Sequence, residues 1–224
     1  MTHPIIEFQH VIKRYAVGSG EETAVNRISF CLKEGDLAFL TGHSGAGKST
    51  LLKLILLLER PCAGKVLLYG KDIAQLSQRK IPGIRRTIGF ISQNPKLLQH
   101  QTVFENVALP LVIDGYKASE AAKRIRPALS MVGLLNKQHR YPSGLSCGEQ
   151  QRLGIARAVV SKPSILLADE PTGNLDPSLS FEIMQLFEKL NQVGVTIIIA
   201  THDLSLTGRI KHLLMTLEKG RLVS

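Results

Sequence analysis

The chain has 224 residues, a length that predicts one domain, or a core with subdomains. Its formal net charge of +10 at pH 7 is compatible with binding to nucleic acid or to an anionic membrane surface, and also with a basic surface that only meets solvent. The basic residues are scattered and aromatic residues make up only 5% of the chain, so no base-stacking platform is indicated and no specific nucleic acid is expected. The three cysteines form no CxxC pair and no export signal is recognised, so we expect a cytoplasmic location. The longest apolar stretch, Leu54–Leu58, is far short of the roughly 20 residues that cross a bilayer, so we expect a chain that does not span a membrane.

Apolar runs of strand length recur along the chain and predict a mostly parallel central sheet. Near the N-terminus, Ile5–Ile12 and the segments on either side of Gly18–Glu22 indicate antiparallel strands joined by a turn. Several later runs are unbroken rather than alternating, which is typical of strands covered by helices on both faces. A closing hairpin is predicted for Leu213–Leu217 and Arg221–Val223. The runs are Ile28–Leu32, Leu37–Leu40, Val66–Tyr69, Ile88–Ile91, Ile165–Ala168 and Thr196–Ala200.

The segment GHSGAGKST, at positions 42–50, directly follows one of these runs and has the pattern of a phosphate-binding loop. Its glycines let the backbone wrap closely enough for successive N–H groups to point at phosphate oxygens, and the next helix presents its positive end there. We expect Lys48 to bridge the β- and γ-phosphates of ATP and Ser49 to offer its hydroxyl to Mg²⁺. The helix, Ser49 to about Leu58, is apolar nearly all round and should be buried. The predicted nucleotide-binding residues of the loop are Gly42, His43, Ser44, Gly45, Ala46, Gly47, Lys48, Ser49 and Thr50.

Between positions 97 and 161 the pattern changes to helical spacing, which predicts a helical subdomain inserted into the sheet. Pro127 falls inside one apolar stripe of this segment. Because proline removes a backbone hydrogen bond, we expect a kink or a break in the helix there. The stripe consists of Ala121, Ala122, Ile125, Leu129 and Val132.

Polar residues follow three of the buried runs, at the position where open α/β sheets place their ligands. Adjacent carboxylates follow one run, where Asp169 can hold Mg²⁺ and Glu170 can polarise the water that attacks the γ-phosphate. The amide of Gln93 can ligate Mg²⁺ and sense that water, and His202 can donate to the γ-phosphate. We therefore predict Glu170, His202 and Gln93 as catalytic residues and Ser49, Gln93 and Asp169 as metal ligands.

The stretch LSCGEQQR, at positions 145–152, resembles the LSGGQ-type signature of ABC ATPases. In that family the nucleotide is sandwiched between two subunits. The resemblance implies that Ser146, the N–H groups around Gly148 and the start of the next helix form a second anion site, which one subunit cannot aim at its own phosphate loop. With the phosphate loop, ADEPTGNLD at 168–176 and THD at 201–203, the resemblance covers essentially the whole chain.

This resemblance implies a fold and an activity. The implied fold is α/β, with a P-loop (RecA-like) core of mostly parallel sheet, an antiparallel β subdomain and an inserted α-helical subdomain over roughly 97–161, all within one ABC ATPase domain at 1–224. The implied activity is Mg²⁺-dependent hydrolysis of ATP sandwiched between two head-to-tail copies of the chain. Tyr15 matches the family's aromatic residue that stacks on adenine, and Asp176 matches the loop that crosses the dimer interface. Ser146, Gly148 and Glu149 match the signature that contacts nucleotide.

Within the family, the wording at 41–54, 59–65 and 166–176 is most similar to that of the cell-division ATPases. The similarity implies an integral membrane partner, a peripheral location on the inner face of the bacterial cell membrane at the division septum, and control of peptidoglycan hydrolysis. The ATPase of a lipoprotein-releasing or macrolide-type exporter is an alternative with similar wording. A DNA-associated ABC ATPase is less favoured, because no long heptad insertion or zinc hook interrupts the chain. A nucleotide-gated scaffold with little turnover is a third possibility, against which Glu170 argues.

Cys147 departs from the signature, which usually has glycine at this position. Either the backbone there does not need a positive φ, or the side chain crowds the closest approach to the γ-phosphate. We predict slower or weaker closure of the two subunits than a glycine version would show.

Overall fold

Two β-sheets organise the fold within the residues that the computed structural model describes, which are 4–18, 20–173, 175–203 and 212–223. The first is antiparallel and consists of β1 (Ile6–Val17), β2 (Gly20–Leu32), β4 (Ala63–Leu68) and β5 (Lys71–Asp72), in the order β2-β1-β4-β5. The second contains β3 (Leu37–Thr41), β6 (Ile88–Ser92), β7 (Ile165–Asp169), β8 (Thr196–Ala200), β9 (Leu213–Glu218) and β10 (Arg221–Leu222), in the order β10-β9-β3-β8-β7-β6. Its strands are parallel except for the closing hairpin of β9 and β10. The predicted mostly parallel core and antiparallel subdomain are confirmed.

Helices cover the second sheet on both faces. They are α1 (Lys48–Ile55), α2 (Ile81–Arg85), α3 (Val103–Ile113), α4 (Ala118–Met131), α5 (Cys147–Val159) and α6 (Pro177–Gln192). Helices α3, α4 and α5 fall inside the segment predicted to be helical. Across the part of the chain that is described, no helix combines the length and apolarity that a membrane crossing requires.

Alternating side chains of the parallel strands build a separate core on each face of the sheet. On β7, Leu166 and Ala168 join the cluster under α3 to α6, while Ile165 and Leu167 join the cluster shared with α1 and the antiparallel sheet. Because both faces are covered, every position of this strand except the last can be apolar, which explains the unbroken run in the sequence.

Helix α1 is shorter and less completely buried than predicted. It ends at Ile55, and Leu57 has a φ of 58°, a left-handed conformation that a helix cannot continue through. Ser49 and Lys53 are exposed, so one face of the helix meets solvent. Pro61 is compatible with a helix that ends at Leu58 as predicted, and no proline or glycine occurs between Lys48 and Arg60 to indicate the earlier end at Ile55.

Pro127 does not break its helix, since α4 continues from Ala118 to Met131. Pro127 and Lys123 are both exposed. The carbonyl that loses its partner, that of Lys123, is therefore on the side of the helix where water can bond it. The predicted apolar stripe does pack inwards, because Ala121, Ile125 and Leu129 are buried.

Candidate active site

The carboxyl ends of four neighbouring strands place the predicted catalytic residues at one edge of the sheet. The phosphate loop follows β3, His202 follows β8, Glu170 follows β7 and Gln93 follows β6, and these strands lie side by side in that order. Their end residues surround a cavity of about 680 Å³. The residues that line it are Ala24, His43, Ser44, Gly45, Ala46, Gly47, Lys48, Ser49, Thr50, Gln93, Asp169, Glu170 and His202.

The phosphate loop has a backbone that only glycine can adopt at two positions. Gly42 and Gly47 have φ values of 139° and 107°. A Cβ atom would collide with the carbonyl oxygen of Leu217 at the first position and with that of Ala24 at the second. Helix α1 then begins at Lys48 with no side-chain cap and no acidic residue in its first turn. Its first N–H groups therefore face the cavity as donors for an anion.

Lys48 is the cation of this cavity and is only 8% exposed. Its Nζ donates to the carbonyl oxygens of Gly42 (2.7 Å) and His43 (3.2 Å), which braces the loop from within. The same nitrogen lies 3.8 Å from Oε1 of Glu170. The loop cation and the carboxylate after β7 thus share one site, as the sequence predicted.

Glu170 is held in a strained conformation between two polar partners. Its φ is 48°, which is uncommon for a residue other than glycine. Its backbone N–H donates to the carbonyl oxygen of Ala200 (2.8 Å), and its Oε2 lies 3.0 Å from Nδ1 of His202. The hydrogen bond to the sheet edge maintains this conformation. The Glu170 carboxylate consequently lies between the ammonium of Lys48 and the imidazole of His202.

Three oxygen-bearing side chains of the same cavity fit a magnesium ion. The hydroxyl of Ser49, the amide of Gln93 and the carboxylate of Asp169 are hard ligands of the kind that Mg²⁺ prefers. No cluster of three or more His, Cys, Asp or Glu that could hold a metal occurs among the described residues. A single carboxylate with neutral oxygens suits an ion that is also bound by substrate phosphates and water.

The signature stretch forms the start of α5 and does not line this cavity. Ser146 caps the helix, because its Oγ accepts from the N–H of Glu149 (3.3 Å) while Oε2 of Glu149 accepts from the N–H of Ser146 (3.1 Å). The other oxygen of Glu149 pairs with Lys137, and this hydrogen bond holds the pKa of Glu149 below its ordinary value. Gly148 is buried against Leu179. Ser146 itself is exposed, at the amino end of the helix.

Cys147 is the first residue of α5 and is exposed. It has a right-handed helical backbone and is not among the described residues with a positive φ. The backbone at this position therefore does not require glycine, and the hindrance of closure by the side chain stays a prediction. The thiol still adds volume to the exposed surface of the signature.

Tyr15 and Asp176 also lie outside the cavity. Tyr15 is on β1, with the Nζ of Lys13 5.0 Å from its ring centre, and its hydroxyl is buried without a hydrogen-bond partner within the described residues. Asp176 caps α6 by accepting from the N–H groups of Ser178 and Leu179, both at 3.0 Å. Its pKa is lowered, mainly by the hydrogen bond that the Ser178 hydroxyl donates. The nucleotide-binding role predicted for these two residues stays a prediction.

Two residues that sequence reasoning missed connect α5 to the end of β6 and to the segment that follows it. Gln151 is 3% exposed and its Nε2 donates to the carbonyl oxygen of Ser92 (3.3 Å), the residue before Gln93. Arg157, two turns further along α5, donates to the carbonyl oxygen of Lys96 (2.9 Å). Burial lowers the pKa of Arg157. A polar residue on the buried face of a helix was the available signal for Gln151.

Comparison with known proteins identifies the class of this molecule. The family model for ABC transporters matches residues 25–173, and the chain belongs to this family. It is accordingly an ATPase of the ABC type, and the predicted fold class is confirmed. A solved structure titled as the dimeric post-hydrolysis state of the ATP-binding cassette MJ0796, bound to ADP and Pi, superposes with a TM-score of 0.90 at 35% identity and covers 98% of this chain and 97% of that one.

Curated relatives show which proteins within this family the chain is similar to. The chain is 52% identical to the cell division ATP-binding protein FtsE of Escherichia coli K12, over 97% of both chains. It is 42% identical to the FtsE protein of Bacillus subtilis 168, over 98% of this chain and 95% of that relative. The predicted similarity to the cell-division ATPases is confirmed.

Proposed function

We propose that this chain is the ATP-hydrolysing subunit of a bacterial cell-division complex. It works with an integral membrane subunit of the FtsX type and controls peptidoglycan hydrolysis during septation. It is bound through that partner to the cytoplasmic face of the cell membrane, at the septum. The observation that carries this proposal is the 52% identity with FtsE over nearly the whole of both chains.

The geometry of the cavity supports a division of roles in ATP hydrolysis. The N–H groups at the start of α1 and the ammonium of Lys48 bind the phosphates. Glu170 acts as the general base for water, and His202, which contacts its carboxylate, donates to the γ-phosphate. Ser49, Gln93 and Asp169 hold Mg²⁺, which when bound neutralises charge on the phosphate oxygens.

Two copies of the chain bind ATP between them in this proposal. The phosphate-loop cavity is lined by none of the described signature residues 145–149, although Ser146 presents an exposed helix start that suits an anion. Head-to-tail pairing would bring that helix start to the cavity of the other copy, with Asp176 at the interface and Tyr15 at the adenine. The related cassette MJ0796 has a structure in dimeric form.

We propose that the chain is a single cassette and that residues 97–161 form its helical subdomain. A surface for the membrane partner lies on this part of the chain. A groove of about 570 Å³ lies between β6, α3 and α5, and Phe90, Pro110 and Ile113 form part of its apolar wall. Arg157 lines the groove as well, and its guanidinium has no carboxylate partner among the described residues. We propose that the partner contacts this groove and the neighbouring face at 99–111.

Affinity purification from membranes tests the proposal. The tagged chain carrying Glu170→Gln is expected to retain an FtsX-type membrane protein, and Ile113→Asp in the groove should reduce its recovery at least fivefold. The matched control is Val193→Asp, because Val193 is an exposed apolar residue on the surface beyond α6. Recovery of an exporter subunit with lipid-extracting activity, or of DNA in a strongly salt-dependent complex, would contradict the cell-division role without touching the ATPase assignment.

A further inference from the structure

A second polar depression lies between the antiparallel sheet and the hairpin of β9 and β10. The turn of this hairpin contacts the phosphate loop, because the N–H of Gly220 donates to the carbonyl oxygen of Ala46 (3.1 Å). The depression has a volume of about 420 Å³. No acidic side chain is among the described residues that line it, although the chain has 18 of them. The lining residues are His10, Asn26, Arg27, Ile28, Ser29, Arg221 and Leu222.

Two guanidinium groups in this depression lack an anionic partner. Arg27 and Arg221 are exposed, and neither forms an ion pair within the described part of the chain. Arginine binds phosphate and carboxylate oxygens through paired N–H groups, and two like charges beside one concavity favour an anion between them.

The backbone is strained at two of the lining residues. His10 and Arg27 have φ values of 49° and 52°, which place both in the left-handed region. They lie where the register between β1 and β2 shifts, in β-bulges that redirect the side chains. Strain of this kind is concentrated at functional sites, because the surrounding structure must maintain it.

Hydrogen bonds hold the residues that line the depression in position. The N–H of His10 donates to Oγ of Ser29 (2.9 Å), and the same hydroxyl lies 3.4 Å from Nδ1 of the His10 ring. In the tautomer in which Nδ1 accepts from this hydroxyl, Nε2 carries the ring proton and can donate to an anion. The N–H of Asn26 donates to the carbonyl oxygen of Gly220 (2.7 Å), which fixes the neighbouring Arg27 and Arg221 relative to each other.

We propose that this depression is an anion site, distinct from the ATP site, in which Arg27, Arg221 and His10 bind a phosphate group. The group belongs either to free phosphate or to the headgroup of an anionic phospholipid. Both sources present the same oxygens to the two guanidinium groups, so the experiment has one arm for each.

The first arm follows the side-chain Nε signals of Arg27 and Arg221 by NMR while inorganic phosphate is added to protein saturated with MgADP, so that the phosphate loop is occupied. Free phosphate as ligand should shift both signals along one saturable curve, and Arg221→Gln should abolish the shift of Arg27. The second arm measures sedimentation with vesicles of phosphatidylglycerol and phosphatidylcholine, against phosphatidylcholine alone.

A lipid headgroup as ligand should make the double variant Arg27→Gln, Arg221→Gln bind the anionic vesicles at least fivefold less than the parent. The charge-matched control is Arg79→Gln, Arg126→Gln, at two exposed arginines without an ion pair in the described structure. Thermal unfolding of both variants should match the parent. The proposal is overturned if no saturable shift occurs in the first arm and both double variants bind vesicles equally in the second.

Discussion

The Nζ of Lys48 lies 3.8 Å from Oε1 of Glu170, joining the loop after β3 to the end of β7 across the intervening strand β8. Both side chains are largely buried, so each charge has little water around it and depends on the other and on nearby backbone groups. Phosphate oxygens would compete with this carboxylate for the ammonium group. Substitutions at the two positions should therefore be strongly non-additive in nucleotide affinity.

Glu170→Gln should bind ATP but hydrolyse it at least about 100-fold more slowly, because the neutral amide cannot accept a proton from water. The measurement is phosphate release under MgATP, together with the mass of the complex by light scattering, where an ATP-bound dimer should accumulate. Glu34→Gln, at an exposed position in the turn before β3, is the control and should behave as the parent does. A Glu170→Gln protein that stays monomeric at saturating MgATP would contradict the paired-site model.

Lys48→Ala should weaken ATP binding by roughly 10- to 100-fold, the value of a charge-assisted hydrogen bond to phosphate. Part of the loss comes from the loop, whose carbonyl groups at Gly42 and His43 lose their internal donor. Titration calorimetry with ATP measures the affinity. The control is Lys53→Ala, which removes the same charge from the exposed side of the same helix. Unchanged ATP affinity in that variant would show that the loss is specific to the ammonium group of Lys48.

Cys147→Gly should raise the ATPase rate, because it removes a side chain from the exposed start of α5 without requiring a new backbone conformation. The series Cys, Ala, Gly at this position should give rates that increase as side-chain volume decreases. Unfolding measurements are needed alongside, since glycine lowers the stability of a helix by up to about 1 kcal/mol relative to alanine. Equal rates across the series would show that the thiol does not hinder closure.

The sequence predicted the components of the site better than the contacts that hold them. Spacing alone located the phosphate loop and the residues that follow the parallel strands, because the carboxyl ends of such strands meet at one edge. The contact between Ser146 and Glu149 also has a local signal, the Ser-x-x-Glu pattern of a capping box. The sequence did not reveal that Glu149 would pair with Lys137, since this contact depends on where the segment at 135–137 packs. The early end of α1 and the continuity of α4 through Pro127 likewise depend on tertiary context and solvent exposure.

Lys137→Met should destabilise the protein by about 0.5–1 kcal/mol near neutral pH, a typical value for a partly exposed ion pair. The pKa of Glu149 is lowered from its ordinary 4.5, chiefly by the hydrogen bond from Lys137. A lowered folded-state pKa stabilises the protein above the unfolded-state value, and this contribution is lost as the pH falls through the folded-state value. The stability difference between parent and variant should therefore shrink below about pH 4.5. Urea unfolding across pH 3 to 7 measures it, with Lys123→Met, which is exposed and unpaired in the described structure, as the control.

Gln151→Met should lower the turnover rate by roughly 10- to 100-fold while leaving ATP affinity unchanged, because displacement of a catalytic group by about 1 Å can cost that much. The side chain of Gln151 fixes Ser92, the residue next to Gln93, but does not line the phosphate-loop cavity. If Gln151 has only a structural role, the substitution should lower the free energy of unfolding by about 1 kcal/mol and reduce ATP affinity and turnover together. Single-turnover hydrolysis and calorimetry with ATP separate the two outcomes, and Gln192→Met, at the exposed end of α6, is the control. If turnover is unchanged in a folded Gln151→Met protein, α5 does not position Gln93.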